Sequence, residues 1–233
     1  MTYSLYDETT AYNYDKGYRE GYDHLYPNEN VVRLEKWYFK TGRGKLLDHG
    51  YGFGANLIHL AERGYSIEGI DVAESAKDLV LKKLKDKKDL LDRINLKTLT
   101  AKDGDRLPYL DNYFDYILSN QTVYHLVNRK SIDLLLDEFL RILKPDGKMI
   151  VTLLGPTNIL CQAGKKVDEH VYEYVDVAGS LGSRPMRVYV FKNEKHVREA
   201  FNKFQIDEVG WFDNNYCGIN GYHFVVLCRK PSA

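Results

Sequence analysis

The chain has 233 residues, of which 44% are hydrophobic, and its 33 basic and 33 acidic side chains give a formal net charge of zero. This length and composition suit one globular domain with a sizeable core, and the charge balance does not favour a nucleic acid as ligand. The first residues lack the basic and apolar regions of a signal peptide, no apolar run approaches membrane-spanning length, and three cysteines without a CxxC pattern are interpreted as free thiols. We therefore expect a cytoplasmic monomer or homodimer without a nucleic-acid or membrane partner.

Tyrosines crowd the first part of the chain, and Tyr14, Tyr18, Tyr22 and Tyr26 recur at the spacing of a helical face. One interpretation is a purely structural role, with the aromatic segment packed on the domain. The alternative is a lid over an active site, where tyrosine supplies stacking area and a hydroxyl group for a polar substrate.

Pro27-Asn28-Glu29-Asn30 is interpreted as a break in the chain before a second helix. The apolar residues of this predicted helix are Val31, Leu34, Trp37 and Tyr38.

The stretch from Lys45 to Asn56 predicts a strand, a glycine turn and a helix. A short apolar run ends at Asp48, and glycines follow at positions 50, 52 and 54. Glycine lets the backbone turn sharply and lets a ligand approach, and the following helix N-terminus offers unpaired N–H groups. The spacing Gly50-x-Gly52-x-x-Ala55 also satisfies the dinucleotide fingerprint. Asp48 separates the two interpretations, because a carboxylate can hold an ammonium group and gains nothing from a pyrophosphate.

The pattern Asp48-x-Gly50-x-Gly52-x-Gly54 resembles the first motif of the class I S-adenosylmethionine-dependent methyltransferases. The resemblance implies a Rossmann-like α/β fold: a seven-stranded, mostly parallel sheet with an antiparallel last strand and helices on both faces. It also implies S-adenosylmethionine as cofactor, with S-adenosylhomocysteine as product, and assigns cofactor contacts to Asp48 and the three glycines.

Ser66 to Asp71 is predicted as the second strand. An acid about 20 residues beyond the glycines can accept both ribose hydroxyls, so Asp71 and the adjacent Val72 are predicted cofactor contacts. Glu74 to Arg93 is predicted as a charged helix or helix pair with a solvated lysine face, and Ile94 to Ala101 as the third strand.

The stretch from Lys102 to Tyr109, with its Asp-x-x-x-Leu-Pro pattern, is a second point of resemblance. In the family, a carboxylate at the position of Asp103 hydrogen-bonds the adenine amino group, and the neighbouring N–H, here that of Gly104, faces the ring nitrogen. Asp105 is a near rival for the first role, and an acid is a sound partner for an exocyclic amine.

Phe114 to Leu118 is the fourth predicted strand, and Asn120, Tyr124 and His125 follow its carboxyl end, where open α/β sheets bind ligands. Asn120 is a predicted cofactor contact. His125 is the first candidate for a general base, since its ordinary pKa suits proton removal near neutral pH. Tyr124 and Tyr14 are the other catalytic candidates. The alternative for His125 is a packed, hydrogen-bonded histidine.

Three further histidines, His24, His170 and His223, are alternative bases, and the spacing of histidines and acids indicates no metal site.

The rest of the chain predicts an amphipathic helix, a Leu-Lys-Pro-x-Gly turn and a fifth strand over Lys148–Leu154. Gly155 to Arg187 is expected to be irregular. Val188–Phe191, a helix and strands over Phe204–Trp211 and Tyr222–Cys228 complete the predicted sheet.

We interpret residues 1–233 as one methyltransferase domain. Residues 1–40 are assigned to a tyrosine-rich lid and helix, 41–154 to the cofactor-binding core, 155–187 to a substrate-side insertion and 188–233 to the end of the sheet. The predicted activity is methyl transfer from S-adenosylmethionine to an oxygen or nitrogen atom of a small polar metabolite. The alternatives are an NAD-dependent oxidoreductase and a non-catalytic S-adenosylmethionine-binding module.

Overall fold

Strands of the described chain form one large and one small sheet. The computed structural model describes residues 5–103, 105–175 and 184–232. The strands are β1 (Lys45–His49), β2 (Ser66–Asp71), β3 (Ile94–Thr98), β4 (Phe114–Ser119), β5 (Leu143–Leu154), β6 (Lys165–Lys166), β7 (Val171–Tyr174), β8 (Met186–Tyr189), β9 (Gln205–Phe212) and β10 (His223–Arg229). The large sheet has the order β3-β2-β1-β4-β5-β10-β9, with β1 to β5 parallel and β10 antiparallel to both neighbours. The predicted seven-stranded sheet is confirmed.

Helices cover both faces of this sheet. They are α1 (Glu8–Arg19), α2 (Glu29–Leu34), α3 (Ala55–Arg63), α4 (Glu74–Leu84), α5 (Lys88–Leu91), α6 (Arg129–Ile142), α7 (Ile159–Gln162) and α8 (Glu194–Ala200). Successive strand residues point to opposite faces, so Leu46 packs with α3 and α4, whereas Leu47 packs with α6 and α8. Among the residues that the structure describes, no helix has both the length and the apolar character needed to span a membrane.

The tyrosine-rich segment forms a shorter helix than its spacing predicts. α1 ends at Arg19, so Tyr22 and Tyr26 lie beyond it. Gly21 adopts φ +97°, a conformation that takes the chain out of the helix. α1 lies along α4, and the Asp15 carboxylate accepts the Ser75 backbone N–H at 2.8 Å in the first turn of α4.

The second predicted helix also differs from the prediction. α2 continues into a π-helical turn over Glu35–Phe39. Val31 and Tyr38 are buried there as predicted, but Trp37 is 58% exposed. A π-helical turn has a wider hydrogen-bond ring than an α-helix, so helical spacing no longer predicts which side faces the core. Trp37 therefore does not belong to the apolar stripe.

Residues 155–187 are more ordered than expected where the structure describes them. β6, β7 and β8 form a small antiparallel sheet next to α7. Val188 lies in β8 and pairs with Tyr172. The expectation that Val188–Phe191 completes the large sheet was therefore wrong, because the ladder hydrogen bonds of β8 go to β7.

The fifth strand also begins earlier than predicted. Leu143 pairs with Phe114, and pairing resumes between Lys148 and Tyr116 after a register shift. The Leu-Lys-Pro-x-Gly turn therefore lies within β5, as an irregularity beside β4, with Asp146 at φ 59°.

Alanine substitutions at two glycines can separate the stability cost of backbone strain from the cost of overpacking. Gly54 has φ +79°, and an added Cβ would lie 2.3 Å from Val80 Cγ2; Gly218 has φ +93° and no atom within 4 Å of such a Cβ. Gly218→Ala should lower the free energy of unfolding by about 1–2 kcal/mol through backbone strain alone. Gly54→Ala should cost that amount plus about 1–3 kcal/mol of overpacking. Urea unfolding measures both losses, and equal losses would show that α4 accommodates the methyl group freely.

Candidate functional site

A cavity of about 190 Å³ lies at the carboxyl ends of β1, β2 and β4, beneath α1. In open α/β sheets, ligands bind in this position. The cavity brings together seven of the residues predicted from the sequence: Tyr14, Gly50, Gly52, Asp71, Val72, Asn120 and His125.

The glycine loop, residues 50–54, forms the floor of this cavity. Gly50, Gly52 and Gly54 have φ of 73°, 53° and 79°, values that residues with a Cβ rarely adopt. At Gly52 an added Cβ would also lie 2.8 Å from the Tyr18 hydroxyl oxygen. Because Gly52 has no side chain, the Tyr18 side chain of α1 can approach the glycine loop closely. Gly54, at the N-terminus of α3, does not line the cavity.

Asp71 ends β2 and holds the loop in place. Its Oδ2 accepts the Gly52 N–H at 2.8 Å, and its Oδ1 accepts the Ala73 N–H at 2.9 Å. Burial raises the pKa of Asp71, and these backbone donors oppose the rise. A carboxylate oxygen can accept two hydrogen bonds, so Asp71 keeps the capacity to accept ligand hydroxyls.

Asp48 is 2% exposed and does not itself line the cavity, although the adjacent His49 does. Its Oδ2 is buried with no hydrogen-bond partner. Burial, and to a lesser extent the charge of Asp71, raises the pKa of Asp48 to about 8. A buried acceptor without a partner is costly, and a ligand ammonium group would supply both the missing donor and the compensating charge.

Asparagine side chains form a network at one side of the cavity. Asn28 and Asn56 exchange two hydrogen bonds, of 2.8 Å and 3.0 Å. Asn120, a predicted site residue, donates to Asn28 at 3.3 Å and accepts from Asn30 at 3.0 Å. The sequence analysis missed Asn28, Asn30 and Asn56. The only available signal was the Pro27–Asn30 stretch, which it interpreted as a break in the chain.

His49 is another lining residue that the sequence analysis did not single out. Its Nδ1 lies 2.9 Å from Ser119 Oγ at the end of β4. Burial lowers the pKa of His49 to about 4, so the ring is neutral near pH 7. It occupies the variable position between Asp48 and Gly50, which carried no signal in the motif.

Tyr14 and His125 meet across the cavity. The Tyr14 hydroxyl lies 3.1 Å from His125 Nε2, while His125 Nδ1 is buried without a partner. Burial lowers the pKa of His125 to about 4, and the charge of Asp7 opposes this effect. Burial also raises the pKa of Tyr14 well above its usual range. His125 is therefore packed, as the alternative interpretation held, and it also lines the cavity.

Besides Gly54, the predicted residues Tyr124 and Asp103 do not line the cavity. Tyr124 packs with Tyr174 and Met186 in a separate apolar cluster. Asp103 closes its own turn, with Oδ2 accepting the Thr100 N–H at 2.6 Å and the Thr100 hydroxyl at 2.8 Å. Gly104 lies outside the described residues.

Asp103 nevertheless lies close to a second pocket. Thr100 lines this pocket, together with Val72 and Leu99, which also line the main cavity. The adenine contact predicted for Asp103 thus stays a prediction.

Of the alternative bases, His24 lines the cavity, where it is exposed and stacks on Phe53 with ring centroids 4.9 Å apart. His170 stands beside His196, and His223 is buried against Phe212. Neither of these two lines the cavity.

The covering segment, residues 5–28, contributes lining residues from Leu5 to Asn28 and is held in place by several contacts. Lys83 of α4 forms a salt bridge with Asp23 and donates to the carbonyl oxygens of His24 at 3.1 Å and Phe53 at 2.8 Å. Asn13 of α1 exchanges two hydrogen bonds, of 3.0 Å and 3.1 Å, with the backbone of Arg184. The covering segment is therefore held against both the glycine loop and the 155–187 region.

Similarity to known proteins agrees with this geometry. A family model described as a methyltransferase domain matches residues 47–151. The biotin biosynthesis bifunctional protein BioHC of Cellvibrio japonicus is 27% identical over 132 residues, which cover 56% of this chain and 24% of that protein. Phosphoethanolamine N-methyltransferase 1 of Zea mays is 27% identical over 176 residues, which cover 75% of this chain and 32% of that protein. The chain thus spans about a quarter to a third of the length of these curated relatives.

A solved structure shows the same fold. An S-adenosylmethionine-dependent methyltransferase from Methanosarcina mazei matches with a TM-score of 0.71 at 19% identity, over 90% of this chain and all of that one. The strand order and the glycine loop between two buried acids define a Rossmann-like, nucleotide-binding α/β protein. Within that class, residues 47–151 match a methyltransferase domain, and the fold is that of S-adenosylmethionine-dependent methyltransferases.

The residues present fit S-adenosylmethionine. The unpartnered Asp48 Oδ2 matches an ammonium group, and Asp71 has acceptor capacity for ribose hydroxyls. The fit rests on the chemistry of these two acids.

Asp48→Asn tests the state of the buried carboxyl group. With a pKa of about 8 in the folded protein and about 3.9 in the unfolded chain, Asp48 binds more protons when folded, so its contribution to stability decreases as pH rises between these values. Asparagine keeps the shape and does not titrate. We expect the wild type to lose stability relative to Asp48→Asn between about pH 5 and pH 8, measured by urea unfolding without cofactor.

The exposed Asp89, replaced by asparagine, is the matched control and should leave the pH profile unchanged. Parallel profiles for wild type and Asp48→Asn would contradict a protonated, buried Asp48.

Proposed function

We propose that this chain transfers a methyl group from S-adenosylmethionine to an oxygen or nitrogen atom of a small polar acceptor. The observation that carries the proposal is the position of the Tyr14–His125 pair. It lines the same cavity as Gly52 and Asp71 of the cofactor loop. A proton-accepting group and the cofactor site therefore share one space.

In this proposal, Asp48 holds the cofactor ammonium group and Asp71 accepts its ribose hydroxyls, while Asn120 and its amide partners border the same side. Asp103 and Gly104 keep their proposed contacts with adenine. When bound, the cofactor supplies an electrophilic methyl group on a positively charged sulfonium. The glycine loop and the two acids orient it, and good alignment of this kind can supply much of the rate acceleration.

In the same proposal, His125, Tyr14 and Tyr18 act on the methyl acceptor. His125 is neutral near pH 7, since its pKa is about 4, so it can accept a proton from the acceptor. Tyr14 orients the imidazole through the contact with Nε2. Tyr18, which is 6% exposed, closes the cavity against water above Gly52.

A small acceptor is supported by the size of the cavity and by the segment fixed over it. The relative from Zea mays is a phosphoethanolamine N-methyltransferase by name, and that substrate is a small polar molecule. In this scheme residues 1–40 are the lid, 41–154 the cofactor core, 155–187 the substrate-side insertion and 188–233 the end of the sheet. The protein acts as a monomer or homodimer.

The two alternatives are an NAD-dependent oxidoreductase and a non-catalytic S-adenosylmethionine-binding module. The dinucleotide interpretation rests on the Gly50–Ala55 spacing alone, whereas the family match over residues 47–151 favours methyl transfer. A non-catalytic binding module would hold S-adenosylhomocysteine and turn over no acceptor.

The acids at the ends of β1 and β2 should dominate cofactor affinity. Asp48→Asn and Asp71→Asn should each weaken S-adenosylhomocysteine binding about tenfold or more, because charge-assisted hydrogen bonds contribute roughly 1.5–3 kcal/mol. Calorimetry on the full chain measures this, with Asp89→Asn as the control. Wild-type affinity in both variants would rule out the proposed cofactor site.

Replacing His125 should affect methyl transfer more than cofactor binding. His125→Ala should lower the single-turnover rate about 10²-fold or more for a hydroxyl acceptor, since general base catalysis contributes this much, and less for an amine. Tyr14→Phe, which keeps the ring and removes the hydroxyl, should give a smaller loss. Calorimetry with S-adenosylhomocysteine serves as the folding control. An unchanged rate and pH profile in His125→Ala would return this residue to a packing role.

A further inference from the structure

We infer that the acceptor is an aliphatic amine, held beneath α1 in its ammonium form by Asp7 and the faces of the tyrosine rings. The inference rests on the proposed function and narrows its acceptor to one chemical class. Three features of the described residues support it: the charges around the cavity, its aromatic wall and the position of Asp7 beside His125.

The side chains that line the cavity favour a cation. Among the described lining residues, Asp7 and Asp71 are the acids, and none is a lysine or an arginine. The cations that hold the surrounding segments are already engaged: Lys83 pairs with Asp23, and the Arg184 guanidinium lies 3.5 Å from the centre of the Tyr12 ring. An acceptor carboxylate or phosphate would find no lysine or arginine among the described lining residues, whereas an ammonium group would find a carboxylate there.

An aromatic wall covers the same space. Tyr18 lies between Tyr14 and Tyr22, with ring centroids 5.9 Å and 6.3 Å away, and Tyr22 reaches Phe53 of the glycine loop at 6.1 Å. All four rings line the cavity. Ring faces attract ammonium groups, more strongly where water is excluded. The spacing of Tyr14 and Tyr18 along α1 thus builds a surface suited to a cation.

Asp7 is the one lining carboxylate that the cofactor does not require. It is the N-cap of α1, and its Oδ1 accepts the Thr10 N–H at 2.7 Å. Asp7 and His125 both line the cavity, and the charge of Asp7 raises the pKa of the His125 ring against the larger effect of burial. An ammonium group paired with Asp7 therefore lies near the neutral imidazole.

This arrangement provides the proton transfer that amine methylation requires. The ammonium nitrogen has no lone pair until it loses a proton. His125 accepts that proton and becomes an imidazolium, while the N–H bonding electrons stay on nitrogen as the lone pair. With the cofactor bound, that lone pair would form the new C–N bond while the C–S bond of the methyl group breaks and its electrons remain on sulfur. Asp7 stabilises the imidazolium formed.

A pair of ligands of matched shape tests the inference by binding. The full chain is saturated with S-adenosylhomocysteine and titrated calorimetrically with choline and with 3,3-dimethylbutan-1-ol, which replaces the charged nitrogen by carbon. We expect choline to bind about tenfold more tightly or better. Equal binding, or no detectable choline binding, overturns the inference.

Asp7→Asn isolates the charge, because asparagine is an equally good N-cap and α1 keeps its start. The variant should reduce the preference for choline about tenfold and leave the affinity for the alcohol unchanged. Glu8→Gln removes the adjacent charge from an exposed position outside the main cavity and should preserve the preference. An equal loss in both variants would assign the effect to overall charge and overturn the role of Asp7.

The aromatic wall is tested with Tyr22. Tyr22→Phe keeps the ring face and should keep the preference for choline, whereas Tyr22→Leu should lower it several-fold. A parallel loss of choline and alcohol binding in Tyr22→Leu would indicate apolar contact alone and contradict the cation site.

The failure of the inference can be told apart from failure of the proposed function. Absence of S-adenosylhomocysteine binding would remove the proposed function itself. If S-adenosylhomocysteine binds and choline shows no advantage, only the amine inference is overturned.

Discussion

Two carboxyl groups buried at the ends of adjacent parallel strands constrain the whole site. Asp48 ends an apolar run in β1 and Asp71 ends β2; burial disfavours the ionisation of both, and the charge of Asp71 further disfavours that of Asp48. Asp71 is compensated by the N–H groups of Gly52 and Ala73. No described residue hydrogen-bonds to Asp48 Oδ2. Because the breaking of buried charge networks is costly, the glycine loop has to keep the shape that supplies those donors to Asp71.

The shape of the loop in turn decides what can lie above it. With no side chain at Gly52, the Tyr18 hydroxyl reaches the loop, and α1 settles along α4 with Asp15 bonded to Ser75. The tyrosines, Asp7 and His125 then surround one space. The arrangement of Tyr14, Tyr18 and His125 around this space thus depends on the shape of the glycine loop.

Much of the fold could be predicted from the sequence, and so could the residues proposed to bind the cofactor, because the signals are local. The strand–glycine–helix pattern and the acid at the end of the next strand depend on spacings within a βα unit. The acceptor side depends on contacts between residues far apart in the chain, such as Tyr14 with His125 and Asn28 with Asn120. No spacing rule encodes those contacts. Tyr124, chosen for its position after β4, fails to reach the cavity because its neighbours in the small sheet bury it elsewhere.

The covering segment also has a consequence for the order of events during turnover. Lys83 ties the chain at Asp23 and His24 to the Phe53 carbonyl of the glycine loop itself. The same cation therefore contacts both the covering segment and the glycine loop. We expect an ordered mechanism in which cofactor enters before acceptor. If opening of this segment limits turnover, the steady-state rate should fall as solvent viscosity rises.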